Sequence, residues 1–307
     1  MEKRVKKPLD QFCAPMNYEL AGKTFHLILD DGRDWLVNFL DGENLLIAEK
    51  GKTFVWESYE CLKGDETTYF VRVILEENKK HNVILVLDLL ENLVTCVDME
   101  EGLIPISDRL FTIKPVFGAI KVPGRELNKK RHHFTKRMAG RRITWHYNTG
   151  FSIQHIYFKP HLYRLPVFDR QGTYRDAENC TDPVQKAILQ DKADRFRRTE
   201  NSYPFAEEPC FHITINEHLN LFCFAEENET YTDPLLAMGG GGLILLQDIE
   251  RLTQVGLSYS KGDYFAVTAY GVEGFEPDPV EALEAPYDET VLKTIPCIYD
   301  EDHFVED

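Results

Sequence analysis

Residues Leu20–Gly32 read LAGKTFHLILDDG, and this stretch decides how the rest of the chain is interpreted. A run of apolar and β-forming residues lies between an Ala-Gly pair and an Asp-Gly pair, which is typical of a strand bounded by turns. A similar stretch, MAGRRITWHYNTG, occupies Met138–Gly150. The glycines of the two stretches are separated by the same 118 residues (140−22 and 150−32). Recurrence at a fixed distance indicates that one structural unit occurs twice.

A second pair of similar segments follows the first pair in the same order. Val83–Asp88 reads VILVLD and Leu243–Asp248 reads LILLQD, and a Glu-x-Leu triplet follows each Asp after one or two apolar residues. The separation is now 160 residues (248−88), so the second unit is expected to contain an insertion. Two matches in one order predict two similar β domains.

Short runs rich in Val, Ile, Phe and Tyr fill the rest of both halves, separated by Asp-Gly, Lys-Gly and related turn residues. Such residues supply positive φ angles or Asx turns. The pattern predicts up-and-down antiparallel sheets, which tend to close because closure removes exposed edges. One segment departs from it: the pair Asp182-Pro183 suits the start of a helix, and we expect a short helix that ends before Asn201.

These signals divide the chain into a first domain over 1–125, a second domain over 126–272 with an insertion at 169–208, and an acidic tail over 273–307. The basic stretch Lys121–Arg142 joins the halves. We interpret it as a solvated linker lying on an acidic surface of the same protein. The alternative, an anion or nucleic-acid patch, is disfavoured because Phe134 is its one interleaved aromatic residue.

Composition excludes several classes of function. The chain has 43% hydrophobic and 28% charged residues and a net charge of −16, which argues against a protein that tracks nucleic-acid phosphates. It has no long uncharged apolar run of the kind that a membrane helix needs, and its start lacks the apolar core of a secretory signal. The seven cysteines are scattered without CxxC spacing. We expect a cytoplasmic protein with reduced thiols and no nucleic-acid, membrane or metal partner, and a homo-oligomer remains open.

Candidate site residues cluster in the second half. Because alternate side chains of a strand share a face, Trp145 lies with Tyr147, and His155 lies with Tyr157. His212 shares the polar face of a third strand whose other face is apolar. Each residue alone suits an ordinary core. As a group they predict an aromatic cup with directional polar groups that holds one small ligand.

Catalytic motifs do not add to this picture. The chain has no GxSxG elbow, no HExxH motif and no Ser-His-Asp order, so no catalytic residue is assigned and no cofactor is predicted. The residues alone therefore indicate a duplicated β protein whose second half holds a small molecule.

The segments quoted above, with GGLILLQDIERLTQVG and DYFAVTAYG, resemble the molybdenum-cofactor-biosynthesis protein F (MoaF) family. The resemblance rests on an opening Leu-x-Gly-Lys strand, a W-x-Y strand, an HIY strand and a late Asp-then-Gly-x-x-Phe pattern. It spans roughly residues 15–272 and is clearest in the second half. The corresponding residues are Gly140, Trp145, Tyr147, His155, Ile156, Tyr157, Asp248, Gly262 and Phe265.

The resemblance implies an all-β fold of two tandem lipocalin-like (calycin) antiparallel β-barrels, with a short helix inserted in the second. It also implies a binding or accessory role linked to molybdenum (molybdopterin) cofactor biosynthesis. On this hypothesis the ligand is a small aromatic or pterin-like molecule held in the second barrel. Trp145 or Tyr157 stacks on it, and His155 and His212 form hydrogen bonds to it.

Two alternatives remain open. The second domain is similar in shape to phenolic acid decarboxylases, single lipocalin-like barrels that use paired tyrosines with an Arg and a Glu. A lyase or decarboxylase acting on a phenolic acid or similar small anion would use Tyr147 and Tyr157, with His155 as acid or base, but the sequence does not place the Arg or the Glu. A scaffold role would instead use the basic linker or the acidic tail.

Overall fold

A computed structural model of the chain describes residues 13–102, 111–148, 151–165, 178, 180–184, 186–187, 190, 206–225, 241–260 and 262–273. Most of the predicted insertion at 169–208 and residues 274–307 of the predicted tail lie outside the described residues.

Antiparallel strands make up most of the described chain. They are β1 (Thr24–Leu29), β2 (Asp34–Phe39), β3 (Asn44–Glu49), β4 (Val55–Lys63), β5 (Thr68–Ile74), β6 (His81–Asp88), β7 (Leu93–Glu101), β8 (Phe111–Ile120), β9 (His133–Phe134), β10 (Arg142–Asn148), β11 (Phe151–Lys159), β12 (Leu162–Leu165), β13 (Ala206–Thr214), β14 (Leu219–Ala225), β15 (Gly242–Asp248), β16 (Thr253–Ser260) and β17 (Asp263–Glu273). The all-β class predicted from the sequence is confirmed.

The first eight strands form a closed barrel in chain order. Each strand pairs with the next, and β8 returns to β1 with Ile120 opposite Leu27. Its interior is filled by apolar side chains from alternate positions, among them Val37, Val71 and Leu85. The opening stretch of the sequence is therefore the strand at which this barrel closes.

Strands β10 to β17 form the second barrel. They pair in chain order, β10 also pairs with β17, and a β12–β13 pairing joins the remaining gap. The short strand β9 pairs with β13 on the edge that β12 also uses, further along the strand, where Phe134 lies opposite Ile213. The tandem antiparallel barrels expected from the resemblance are present.

The repeated landmarks of the sequence have matching roles in the two barrels. Gly22 and Gly140 have φ angles of 75° and 85°, a region that favours glycine, and each donates its N–H to a carbonyl in the second strand of its barrel, that of Phe39 in β2 and that of Tyr157 in β11. Asp88 and Asp248 each end a strand and accept two backbone N–H groups of the next turn through Oδ1. The sequence matches thus mark equivalent points of the two barrels.

The outer faces of the barrels pack on each other. One apolar cluster contains Leu62, Phe70 and Val86 of the first barrel together with Leu221 and Leu246 of the second. Strand register shows that many of its members occupy matched positions. These matched pairs are Leu62 and Ile213, Phe70 and Leu221, Ile84 and Ile244, Val86 and Leu246, Val97 and Leu257, and Met99 and Tyr259.

The basic stretch between the barrels is more than a solvated linker. It lies on acidic groups as predicted, since Arg131 pairs with Asp30 at 2.8 Å. However, His132, Thr135 and Met138 within it are buried. Apolar contacts with both barrels hold this segment in place, which charge composition alone did not reveal.

The helix predicted in the insertion begins as expected. Asp182 accepts the N–H of Val184 through Oδ1 at 2.9 Å, and its carbonyl accepts the N–H of Lys186 at 2.8 Å. Pro183, Val184, Lys186, Ala187 and Gln190 are helical. Asp182 is therefore the N-cap that the Asp-Pro pair indicated.

Candidate ligand-binding site in the second barrel

The structure brings all five predicted site residues, Trp145, Tyr147, His155, Tyr157 and His212, into the interior of the second barrel. All five are completely buried. The alternation that predicted a shared face holds, because the intervening residues of β13 face the first barrel instead. The polar face of that strand points inward and its apolar face points toward the other barrel.

The Tyr157 hydroxyl is the centre of a buried hydrogen-bond network. Trp145 Nε1 donates to it at 3.2 Å and Gln247 Nε2 donates to it at 2.8 Å. His155 Nδ1 lies 3.2 Å from the same oxygen. Because the hydroxyl already accepts two bonds, its own proton is directed to His155 Nδ1, and His155 therefore carries its proton on Nε2.

Two glutamines extend the network to the second tyrosine. Gln247 Nε2 also donates to Gln254 Oε1 at 3.0 Å, and Gln254 Nε2 donates to the Tyr147 hydroxyl at 2.8 Å. Both Gln247 amide protons are then used, so its Oε1 remains an acceptor. Donation therefore runs outward from Gln247, directly to Tyr157 on one side and through Gln254 to Tyr147 on the other.

A third amide connects the network to His212. Asn220 Nδ2 lies 3.3 Å from Gln247 Oε1 and 3.0 Å from His212 Nδ1. His212 Nδ1 accepts this bond, so its proton lies on Nε2, which is 3.9 Å from Cys210 Sγ. The thiol therefore sits beside an N–H donor and not beside a base.

Gln247, Gln254 and Asn220 are site residues that the sequence reasoning missed. A usable signal existed for Gln247, since it is the polar exception at alternate positions of an otherwise apolar strand, LILLQD. Register then brings Asn220 and Gln254 directly opposite it on the two neighbouring strands. Those pairings depend on the sheet, so the cluster became recognisable only with the fold.

The ionisable groups of the site are held uncharged. Burial lowers the pKa of His155 and of His212 to about 3 in each case. Burial also raises the pKa of the Tyr147 and Tyr157 hydroxyls well above their usual range. At neutral pH the network therefore consists of neutral imidazoles, phenols, amides and an indole.

Aromatic rings surround the two histidines. His212 stacks on Phe222, with ring centroids 4.8 Å apart and planes inclined by 16°. His155 packs against Phe222, Phe224 and Tyr163 at centroid distances of 5.4, 6.2 and 5.3 Å. The polar network thus borders a wall of flat apolar surfaces.

Two buried polar atoms of the network have no hydrogen-bond partner among the described residues. They are His155 Nε2 and Asn220 Oδ1. The first carries a proton and is a donor, while the second is an acceptor. Unsatisfied polar groups inside proteins are rare and costly, so each calls for a physical explanation.

Gly271 makes room for the indole. A Cβ at this position would lie 2.7 Å from Ile143 Cγ2 and 2.9 Å from two ring carbons of Trp145. Gly271 lies directly opposite Trp145 on the neighbouring strand. The missing side chain lets the large ring lie flat on the backbone inside the barrel.

The first barrel lacks this network at the matched positions. Sequence separation and strand register match each residue of the network with one residue of the first barrel. The matched pairs are Trp145 and Leu27, Tyr147 and Leu29, His155 and Val37, Tyr157 and Phe39, His212 and Cys61, Asn220 and Tyr69, Gln247 and Leu87, and Gln254 and Val94. All eight first-barrel residues belong to its apolar interior. The interior of the first barrel is therefore apolar at these positions, whereas that of the second is polar and aromatic.

One end of the second barrel is closed by the turn that precedes β10. Met138 of this turn is completely buried among the interior residues. Arg137 donates to the carbonyls of Asn216, Glu217 and Leu219 across that end. In an up-and-down barrel the β10–β11 and β14–β15 connections lie at the other end, and residues 149–150 and 226–240 are outside the described part of the chain.

These observations define a class: an all-β protein of two packed antiparallel barrels, one with an apolar interior and one with a neutral polar and aromatic interior. Residues 6–100 match the model of the family described as MoaF N-terminal domain. This match covers most of the first barrel and confirms the resemblance to the MoaF family seen in the sequence. A comparison with curated proteins gives no match.

Two further observations concern the described residues alone. None of the helical residues among them belongs to a helix long and apolar enough to cross a membrane. No three His, Cys, Asp or Glu side chains among them are grouped so as to hold a metal ion.

Proposed function

We propose that the second barrel binds a small aromatic or pterin-like molecule, and that the protein is a binding or accessory protein linked to molybdenum cofactor biosynthesis. One observation carries the proposal: a connected polar network with an unpaired donor, His155 Nε2, and an unpaired acceptor, Asn220 Oδ1. A ligand that pairs with both atoms would remove the cost of leaving them unsatisfied.

The comparison between the barrels supports a functional origin of the network. Placing amides and imidazoles in a protein interior is costly unless every group finds a partner. The first barrel has an apolar interior at the same eight positions, so the fold does not need polar groups there. Their presence in the second barrel is explained if they serve recognition.

The shape of the second barrel restricts how a ligand reaches the network. The end closed by Met138 and Arg137 offers no route, because a buried side chain and backbone-bound guanidinium fill it. We therefore place the entry at the opposite end. A ligand would pass Phe224 and Leu243 before it reached His155 and Tyr157.

The match to the MoaF family model supports the link to the molybdenum cofactor. The similarity of the two barrels supports two further proposals. We propose that the halves arose by internal duplication, since Gly22 matches Gly140 and Asp88 matches Asp248 in conformation and bonding. We also propose a lipocalin-like (calycin) character for both barrels. A reducing, cytoplasmic location agrees with the six described cysteines being free thiols.

Two measurements test the proposal. The full-length protein purified from its own cells should release a small aromatic molecule on denaturation, detectable by mass spectrometry, and a His155→Phe and Gln247→Leu double variant should release less. Cells lacking the protein should lose molybdoenzyme activity, and the wild-type chain should restore it better than the double variant. Unchanged molybdoenzyme activity in those cells would remove the cofactor link.

The decarboxylase alternative is not favoured by the geometry at Tyr157. Its hydroxyl is bonded to Trp145, His155 and Gln247, and none of these is an Arg or a carboxylate. The guanidinium of Arg141 is instead held by Glu273 and the carbonyl of Ile249. Turnover of hydroxycinnamates by the wild-type protein that is lost in Tyr157→Phe would revive this alternative.

A further inference from the structure

Resting on the proposed function, we propose that the second barrel selects an uncharged, planar heteroaromatic ligand over an anionic one. The ligand presents an acceptor to His155 Nε2 and a donor to Asn220 Oδ1. This defines the chemical class of the ligand and assigns the selection to two named atoms.

The direction of the hydrogen bonds sets what the ligand must offer. Gln247 donates with both amide protons, so Asn220 must turn its Nδ2 toward Gln247 Oε1 and His212. Its Oδ1 is thereby left as an acceptor. At the other end of the network the Tyr157 proton fills His155 Nδ1, which leaves Nε2–H as a donor. A ligand with one acceptor and one donor completes both ends.

The charge of the interior excludes anions. The described side chains of the network are neutral. Two guanidiniums act electrostatically on it, and both are already engaged: Arg137, which acts on His212, with backbone carbonyls, and Arg141, which acts on Tyr157, with Glu273. A carboxylate or phosphate in this interior would lose its hydration and gain no counter-charge, which is strongly unfavourable.

The aromatic walls select a flat ligand. Phe222 contacts both histidines, and Tyr163 and Phe224 pack on His155 and on each other. Flat rings bury a large apolar area and prefer offset or edge contacts with other rings. A heteroaromatic ring combines such faces with donor and acceptor atoms on its edge.

The test uses two probes that share a ring and differ in charge. Pterin, neutral at pH 6.5, and pterin-6-carboxylate are titrated into the full-length protein, and their own fluorescence reports binding. We expect pterin to bind at least tenfold more tightly, a difference of about 1.4 kcal/mol. Equal or tighter binding of the carboxylate overturns the inference and leaves the proposed function standing. Absence of binding by both probes overturns it as well, while the co-purified ligand and molybdoenzyme readouts still report on the proposed function.

Two variants test whether His155 Nε2 and Asn220 Oδ1 are the atoms that recognise the ligand. His155→Phe keeps the ring contacts and removes the donor, and Asn220→Leu removes the acceptor; each is expected to weaken pterin binding by about tenfold or more. His146→Phe, on the outside of the same barrel beside Ser152 and Tyr270, is the matched control and should bind pterin like the wild type. Unchanged pterin binding by a folded His155→Phe protein would overturn the assignment. The wild-type comparison of the two probes decides the charge selection even where a variant fails to fold.

Discussion

At the scale of single residues, the buried histidines make stability depend on pH. Burial in the folded state lowers the pKa of His155 and of His212 to about 3. The pKa of an exposed histidine is about 6.5. The folded state therefore favours the neutral form, and the resulting stability is present above about pH 6.5 and is lost as the pH falls toward the folded-state value.

We expect the free energy of unfolding to decrease as the pH falls from 6.5 to 4.5, by on the order of 1 kcal/mol per pH unit for each of these histidines. Urea unfolding at several pH values measures it. His155→Phe should reduce the slope. Equal slopes for the wild type and His155→Phe would show that burial of this imidazole does not control the effect.

Gly271 gives a second prediction at this scale. Gly271→Ala places a methyl group within 3 Å of Ile143 and Trp145, so we expect a loss of stability of about 1–3 kcal/mol. Adding Trp145→Phe should recover part of that loss, since a smaller ring makes room. Gly102→Ala is the control, because nothing lies within 4 Å of a Cβ there. Equal effects of the two alanine substitutions would contradict the role given to Gly271.

The sequence predicted the aromatic half of the site and missed the amide half. Trp145, Tyr147 and His155 were recognisable because an aromatic or imidazole group recurred at alternate positions of adjacent strands. Asn220 and Gln254 each look like an ordinary polar residue near a strand end. Their role depends on which strands become neighbours, and this is fixed by long-range pairing that the local pattern does not contain.

At the scale of elements, the turn before β10 is expected to stabilise the second barrel. Arg137 bonds to three carbonyls of the β13–β14 turn, so Arg137→Met should cost about 1–3 kcal/mol. Arg137→Lys should recover little of this, because an ammonium lacks the planar fork. Thermal unfolding measures both, and Lys129→Met, an exposed change in the same linker, is the control. A Lys variant as stable as the wild type would show that the charge alone suffices.

Strand positions followed from the sequence more closely than strand lengths. The turn residues marked most strand ends, but β4, β7 and β8 extend beyond the apolar runs because barrel pairing continues through charged residues such as Glu57 and Glu100. The two-residue strand β9 carries no local signal. It forms because Phe134 packs between Phe117 and Phe211 of the two barrels.

At the scale of the whole molecule, the apolar contact between the barrels should make them unfold together. Trp35 and Trp56 lie in the first barrel and Trp145 in the second. In each of the Trp35→Phe/Trp56→Phe and Trp145→Phe proteins we expect the urea midpoint seen by tryptophan fluorescence to coincide with the midpoint seen by circular dichroism of the same protein, since each barrel buries apolar surface against the other.

An acidic group in that contact should separate the two transitions. Leu221→Asp places a charge among buried residues of both barrels, whereas Leu40→Asp alters an exposed position of the first barrel. The first change should lower stability and split the midpoints, and the control should do neither. Coincident midpoints in a destabilised Leu221→Asp protein would show that the barrels are coupled by other contacts.

The alternation along β13 and β14 has a consequence for how such a protein can change. His212 and Phe222 face the interior, while Phe211 and Leu221 face the other barrel. Substitutions at one set of positions therefore leave the other set untouched. The interior residues of the second barrel can therefore change, in evolution or by engineering, while the contact between the barrels is preserved. The ligand specificity of such a protein can be altered without loss of the packing between its two barrels.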